Sequence, residues 1–421
     1  MDSGTPTTGP STPLVRRLWF QTFAAMAVGV VVTLLTHGAA AHWLGWMGVI
    51  FVRLLKMVIV PLIVTSIVTG VASVGSGRQL GRLGAKTLVY YVCTSLLAIL
   101  TGLVLVNLIR PGVGADLAGQ SGSAMPEIQT PGSLADIFVR MIPTNPIQAM
   151  ADGDMLAIIF FAILLGVGLA HLPERQKDTV GRLFDQGFDL MMMVTGGIIR
   201  LVPLGVLGLI SQAVASSGVK TFQALGLYAL TIVAGLSIHW LVTLPLLLLL
   251  LGRISPWIHY RNMSEAFITA FSTSSSSATL PVTIRNVRQR VGVSNSVTSF
   301  VLPMGATINM DGTALYECVG AIFIAQVLGF HLDFSAQLVV VITALLASIG
   351  AAGIPSAGLV MIFLVTESVG LRGPEVATVI GIMLAVDRPL DMYRTMVNVT
   401  SDSAGAAIIA RSEGEVGINA H

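Results

Sequence analysis

An all-α polytopic membrane protein, with eight transmembrane helices and two re-entrant helical hairpins, is the fold class this sequence predicts, on three observations. Charged residues are only 10% of 421 and the mean hydropathy is +0.84, against roughly 25% charged in soluble domains. Apolar runs long enough to cross a bilayer recur along the chain. Two further apolar stretches are split into arms too short to span, with small polar residues between them.

The elements follow in order. Met1 to Leu14 is rich in Ser, Thr, Pro and Gly and is expected to be disordered. Arg16 and Arg17 then precede Leu18 to Leu35. Ala39 to Ala41 has the small-residue look of a signal-peptidase site. The run nevertheless exceeds the roughly 7 to 15 residues of a cleaved signal core, so a retained first span is expected. Further runs lie at Val49 to Val74, Leu88 to Ile109, Met155 to Ala170, Leu190 to Ile210 and Phe222 to Leu251. Basic charge alternates between their connections: Arg78, Arg82 and Lys86 follow a loop with none at His37 to Gly45. Arg175, Lys177 and Arg182 follow another with none from Pro111 to Phe138. By the positive-inside rule the N-terminus is cytoplasmic, and six spans return the chain there.

Beyond Arg261 the pattern changes. Met263 to Thr273 and Ala278 to Ile284 are short arms around four serines, Ser274 to Ser277, and basic residues flank both ends. A hairpin entering from the cytoplasm keeps both basic clusters on one side. Val297 to Val327 is then interrupted at Gly305-Ala306-Thr307-Ile308-Asn309-Met310-Asp311-Gly312-Thr313, where Asn, Asp and Gly favour turns and unwinding is expected. Leu338 to Ser348 and Leu359 to Val365 flank Ile349 to Gly358, a second hairpin entered from outside. Ser276 to Pro281 aligns with Gly350 to Pro355, and the break around Asn309 is matched by a polar run around Asn398 in the last span. A unit repeated with inverted topology predicts a secondary transporter with its site near the bilayer midplane.

Charge concentrates in that last span. Asp391, Arg394, Asn398 and Asp402 follow at i, i+3, i+7 and i+11, within roughly 80° of one helix face. Each charge costs roughly 2.5 to 3.5 kcal/mol at a bilayer centre, so the stripe faces a protein interior or a wet cavity. Arg394 offers a planar fork for a carboxylate and Asp391 a partner for an ammonium, which together suit aspartate or glutamate. The other reading pairs the two permanently. Asp311 and Asp402 lack a cationic partner in sequence and, beside carbonyls of broken helices, suit a hard cation such as sodium. Asp387 is read as orienting Arg394 or Tyr91. Glu317 is either a proton carrier or a neutral, hydrogen-bonded acid.

Other classes are excluded or disfavoured. A net charge of +2 offers no nucleic-acid patch, and no phosphate-binding or dinucleotide glycine loop is present. The serine run lacks a base placed by sequence, so no hydrolase is predicted. Paired hairpins point to occlusion rather than to the continuous pore of a channel. Cys93 and Cys318 read as free thiols in apolar runs.

At these residues the sequence resembles the glutamate/aspartate transporters, the dicarboxylate/amino acid:cation symporters. The resemblance runs from Arg53-Leu54-Leu55-Lys56-Met57-Val58 through Ser274-Ser275-Ser276-Ser277-Ala278-Thr279-Leu280-Pro281 and Asn309-Met310-Asp311-Gly312-Thr313 to Asp391-Met392-Tyr393-Arg394-Thr395. It implies a homotrimer in the plasma (inner) membrane with both termini cytoplasmic, moving by an elevator mechanism, with Leu338 to Val365 as extracellular gate. The implied scaffold comprises residues 16–75 and 136–215. The implied transport domain comprises 76–135, with its extracellular linker, and 216–411, while 1–15 and 412–421 are tails. For substrate it implies Ser276, Thr313, Ile354, Gly358, Asp391, Arg394, Thr395 and Asn398. For sodium it implies one site of Gly305, Asn309, Asn398 and Asp402 and a second of Tyr91, Thr94, Ser95, Asn309 and Asp311. A third comprises Thr307, Met310, Ser348, Ile349 and Ala351. Archaeal sodium-only relatives carry an arginine where this chain has Ser274, and potassium-coupled animal relatives one where it has Met392. Arg388 is the additional cation nearby, and Glu317 is the residue of proton- and potassium-coupled relatives. Glu317, Asp387 and Arg388 are therefore the coupling candidates. The expectation is sodium-coupled import of L-aspartate and/or L-glutamate. The alternatives are proton coupling, with or without potassium, or a C4-dicarboxylate or neutral amino acid carrier of the same fold.

Overall fold

A computed structural model describes residues 18–72, 78–115, 139, 142–152, 154–217, 220–350 and 357–418. The expected N-terminal tail, most of the loop from Pro111 to Phe138, and the second hairpin's tip with Ala351 and Ile354 lie outside the described residues. Among the described residues the regular structure is helical, with no strand. That is the outcome physics requires of a chain this apolar, because only a helix satisfies its own backbone polar groups in lipid.

The helices are α1 (Leu18–Leu35), α2 (Ala40–Ala72), α3 (Arg78–Ile109), α4 (Pro146–Asp152), α5 (Met155–Ala170), α6 (Glu174–Ile199) and α7 (Val202–Ser217). Next comes α8 (Lys220–Ile238), which continues through π-helical turns at His239–Thr243 and Leu248–Gly252. Then follow α9 (Pro256–Thr273), α10 (Ser276–Asn286), α11 (Asn295–Ile308), α12 (Asp311–Val327), α13 (Phe334–Gly350), α14 (Ala357–Ser368) and α15 (Pro374–Ser412). Starts are marked locally. Pro256 and Pro374 occupy first turns, where a missing N–H costs nothing. Ser275 and Ser294 accept from the backbone N–H of Ala278 and Val297 at 3.1 and 3.3 Å.

Arg82–Ile109 and Phe222–Gly252 are each long and apolar enough to cross a bilayer. Three sequence expectations need correction. Leu190 to Ile210 is not one straight span: α6 and α7 meet at a bend of 52°. Pro203 has no N–H for the Ile199 carbonyl, and a Gly196-Gly197 pair precedes it. The unwinding in the Asn309 region is only two residues wide, since α11 ends at Ile308 and α12 begins at Asp311. Asn309 N–H still reaches the Gly305 carbonyl at 3.0 Å. The last span, with its polar run around Asn398, is one helix: α15 is continuous for 39 residues, because its polar groups find side-chain partners and leave the backbone ladder intact. The hairpin arms are longer than their apolar cores, since α9 begins at Pro256, before Met263, and α13 at Phe334.

Packing sorts the helices. α2 lies against α5, α6 and α7, and α1 against α7. α12 is packed by α3, α13, α14 and α15, and every residue from Asp311 to Ala325 is buried. A helix buried all round is the centre of its bundle. α15 crosses it, touching α11 and α12, both arms of the first helix pair, α9 and α10, and one arm of the second, α14. Between α9 and α10, Ser274 takes a left-handed conformation (φ 51°) and Ser275 an extended one, reversing the chain in two residues.

Candidate functional site

The charge stripe of α15 lies inside the protein. Asp387, Asp391, Arg394, Asn398 and Asp402 are all buried, Arg394 at 2% exposure. Arg394 Nη2 donates to Asp391 Oδ1 at 2.6 Å, and its Nη1 stands 3.6 Å from Asp387 Oδ1. The guanidinium carbon lies 4.3 Å from the Tyr316 ring centre, while the Tyr316 hydroxyl donates to Asp387 at 2.8 Å. Arg388 Nη1 donates to the other oxygen of Asp391 at 3.2 Å. Asp387 therefore orients Arg394 and Tyr316. Its expected alternative partner Tyr91 instead donates to the Val301 carbonyl at 2.7 Å.

Around this cluster stand most of the expected substrate residues. The position of a Cβ on Gly358 is 2.8 Å from Arg394 Nη1, so α14 presents bare backbone to the guanidinium. Asn398 Oδ1 accepts from the Gly312 N–H at 2.8 Å, and its Nδ2 donates to Thr313 Oγ1 at 3.3 Å. Thr395 Oγ1 donates to the Asp391 carbonyl at 2.8 Å, a bond within its own helix. Ser276 is buried at the first turn of α10, on the helix pair that meets α15.

Two of the three expected cation sites are drawn together. Asn309 Nδ2 donates to Asp402 Oδ1 at 2.9 Å and to Ser401 Oγ at 3.0 Å, beside Gly305. Asp311 Oδ1 accepts from Ser95 Oγ at 2.7 Å and Thr94 Oγ1 at 3.2 Å, and Thr94 also stands 3.4 Å from Asn309 Oδ1. Thr94 Oγ1 is 3.2 Å from the Tyr91 carbonyl, the part of Tyr91 turned to this group. Buried carboxylate, amide and hydroxyl oxygens with no thiolate are the donor chemistry of a hard cation, and among the described residues no cluster of three or more His, Cys, Asp or Glu converges as a transition-metal site. These residues fit sodium. Among the described residues the third set is not joined by hydrogen bonds: Ser348 donates to Leu345 O and Thr307 to Met304 O. Met310 is the non-helical residue capping α12, and Ile349 is on α13. Thr307 lines a cleft of about 300 Å³ with Ser66, Thr69, Phe188 and Met304.

Glu317 is fully buried, and neither carboxylate oxygen has a hydrogen-bond partner among the described residues. A cavity of about 790 Å³ is an apolar groove lined by Trp240, Trp257, Tyr260 and Phe271, apart from the charges of α15.

Two site residues escaped sequence reasoning. Tyr316 lies next to Glu317, and nothing in its neighbours marks it as a partner of Asp387. His239 lies in mid-span and meets Asp311 Oδ2 at 3.0 Å through Nε2, so Asp311 does have a basic neighbour. The signal available was the rule that a polar ring in a long apolar run has a function; its partner, 72 residues away, was not readable.

Comparison with known proteins agrees with this geometry. The profile described as the sodium:dicarboxylate symporter family matches residues 18–412. Excitatory amino acid transporter 3 of Mus musculus is 36% identical, over 94% of this chain and 85% of its own. The proton/glutamate-aspartate symporter of Escherichia coli (strain K12) is 34% identical, over 94% and 93%. The proton/sodium-glutamate symport protein of Bacillus subtilis (strain 168) is 32% identical, over 94% and 92%. These relatives are transporters and symporters, not enzymes.

Proposed function

This chain belongs to the sodium:dicarboxylate symporter family, and from that premise we propose that it imports L-aspartate and/or L-glutamate by sodium-coupled symport. One observation carries the substrate: Arg394 and Asp391, each 2% exposed, are paired with each other deep inside the protein. A buried ion pair rarely stabilises a fold beyond what apolar packing would supply. An acidic amino acid exchanges this pair for two, its side-chain carboxylate on Arg394 and its ammonium on Asp391. Ser276, Thr313, Gly358, Thr395 and Asn398 complete the pocket, together with Ile354 at the second hairpin's tip. A substrate lacking either charge leaves one buried partner unmatched.

Sodium occupies the oxygen groups at Asp402 and Asp311, with a third position at Thr307, Met310, Ser348, Ile349 and Ala351. The packing of α1 and α2 with α5 to α7 supports reading residues 16–75 and 136–215 as a fixed scaffold. The packing of α3 with α8 to α15 supports a transport domain that carries the site across the bilayer as an elevator, with α13 and α14 as outer gate. The protein works as a homotrimer in the plasma membrane with cytoplasmic termini. A second reading, proton coupling of the same uptake, is favoured by Glu317, whose carboxyl finds no hydrogen-bond partner among the described residues, and by the names of the bacterial relatives.

The test is uptake of labelled aspartate into proteoliposomes under sodium, proton and potassium gradients imposed one at a time. Sodium-driven accumulation is expected, and accumulation driven by protons alone would replace the first reading with the second. Arg394→Cys is expected to weaken aspartate uptake at least tenfold more than uptake of serine or alanine. Undiminished aspartate affinity would refute the pocket.

A further inference from the structure

His239 belongs to none of the substrate or cation sets above, yet it is completely buried and directed at one of them. It opens the π-helical turn His239–Thr243 of α8. A π turn adds a residue to the helical register, and such turns occur mostly at functional sites. From there the ring reaches Asp311, the first residue of α12 after the two-residue break.

The bonds around Asp311 divide between its two oxygens. Oδ1 accepts from Ser95 and Thr94, and the Thr94 hydroxyl also stands beside Asn309 Oδ1. The hydrogen bond found at Oδ2 comes from His239 Nε2. An ionised carboxylate only accepts, so the hydrogen of this contact sits on Nε2. His239 Nδ1 is buried and finds no partner among the described residues. Among the described residues the ring thus makes one polar contact, and that contact is Asp311.

We propose that His239 is a positioning residue for the sodium bound at Asp311: by fixing Oδ2 it turns Oδ1 toward Thr94, Ser95 and Asn309. The arrangement is a histidine–carboxylate–cation chain, in which the outer partner holds a ligand that would otherwise rotate or lose a buried bond. Outer partners of this kind are worth about 10- to 100-fold in cation affinity. The inference rests on the proposed reading of the Asp311 group as a sodium site.

Methionine and glutamine are close in shape to each other, and only glutamine keeps a side-chain N–H donor, so the pair His239→Met and His239→Gln isolates the hydrogen bond from the volume. The full-length protein in detergent, without amino acid, is titrated with sodium chloride at constant ionic strength against choline chloride, and thermal unfolding is followed. The sodium midpoint is expected to rise at least tenfold in His239→Met and to stay within about threefold of wild type in His239→Gln, with similar unfolding temperatures in choline. A wild-type midpoint in His239→Met overturns the role, as does a glutamine variant as weak as the methionine one. Should His239→Met fail to insert, His239→Gln decides alone: a midpoint within threefold supports donation and a loss beyond tenfold refutes it. If sodium does not stabilise the wild type at all, the cation-site reading itself falls, and this role falls with it.

Discussion

Adding one methyl group at Gly305 is expected to damage sodium binding selectively. A Cβ built there stands 2.5 Å from Asp402 Oδ1 and 2.7 Å from the Tyr91 hydroxyl. Carbon contacts are optimal near 3.5 to 4.0 Å, so the overlap is roughly 1 Å. Overpacking of this kind costs about 1 to 3 kcal/mol, and the Asp402 carboxylate that must give way also holds Asn309 at 2.9 Å. At about 1.4 kcal/mol per tenfold, sodium affinity should fall roughly five- to 150-fold. Helix propensity acts in the opposite direction, because Gly305 lies within α11 and alanine is preferred there by about 1 kcal/mol. Gly305→Ala should therefore unfold near the wild-type temperature in choline while requiring far more sodium for stabilisation and for aspartate binding. Gly168→Ala is the control, since a Cβ there meets nothing within 4 Å. A wild-type sodium midpoint in Gly305→Ala, or an equal shift in Gly168→Ala, would refute the reasoning.

Three further outcomes are expected. Glu317→Gln should flatten the pH dependence of aspartate uptake if the buried, unpartnered carboxyl carries a proton; an unchanged profile removes that role. Tyr316→Phe keeps the ring beneath Arg394 but leaves Asp387 Oδ1 without its 2.8 Å hydroxyl donor, which should lower stability by about 1 to 3 kcal/mol. Thermal unfolding measures it, and an unshifted midpoint would show that the hydroxyl is dispensable. At the C-terminal end of α15, Lys86 and then Arg82 hold the Glu413 carboxyl below the ordinary glutamate range. A depressed pKa gives stability that is fully present above the ordinary value and is lost as pH falls through the folded one. Arg82 is 63% exposed, so the pair is worth at most about 1 kcal/mol. Unfolding midpoints of wild type and Glu413→Gln should accordingly differ slightly at pH 7 and converge in acid; parallel curves would assign Glu413 no such role.

The sequence by itself determined the class, the order of the elements and the concentration of charge on one face of the last span. Hydrophobic length and loop charge are local quantities, and the spacing from Asp391 to Asp402 falls on one helix face whatever surrounds it. Local composition also placed the reversal at Ser274, where small polar residues tolerate a left-handed turn. It overstated the interruption around Asn309, because Asn, Asp and Gly look like helix breakers until their partners are known. Pro203 marked the bend in Leu190 to Ile210, but apolar length outweighed it. Only the tertiary structure decided which distant groups share an atom: His239 on Asp311, Tyr316 on Asp387, and Gly358 against Arg394. Such contacts join residues 36 to 72 positions apart, and they follow from how whole helices cross, a property that no window of the sequence contains.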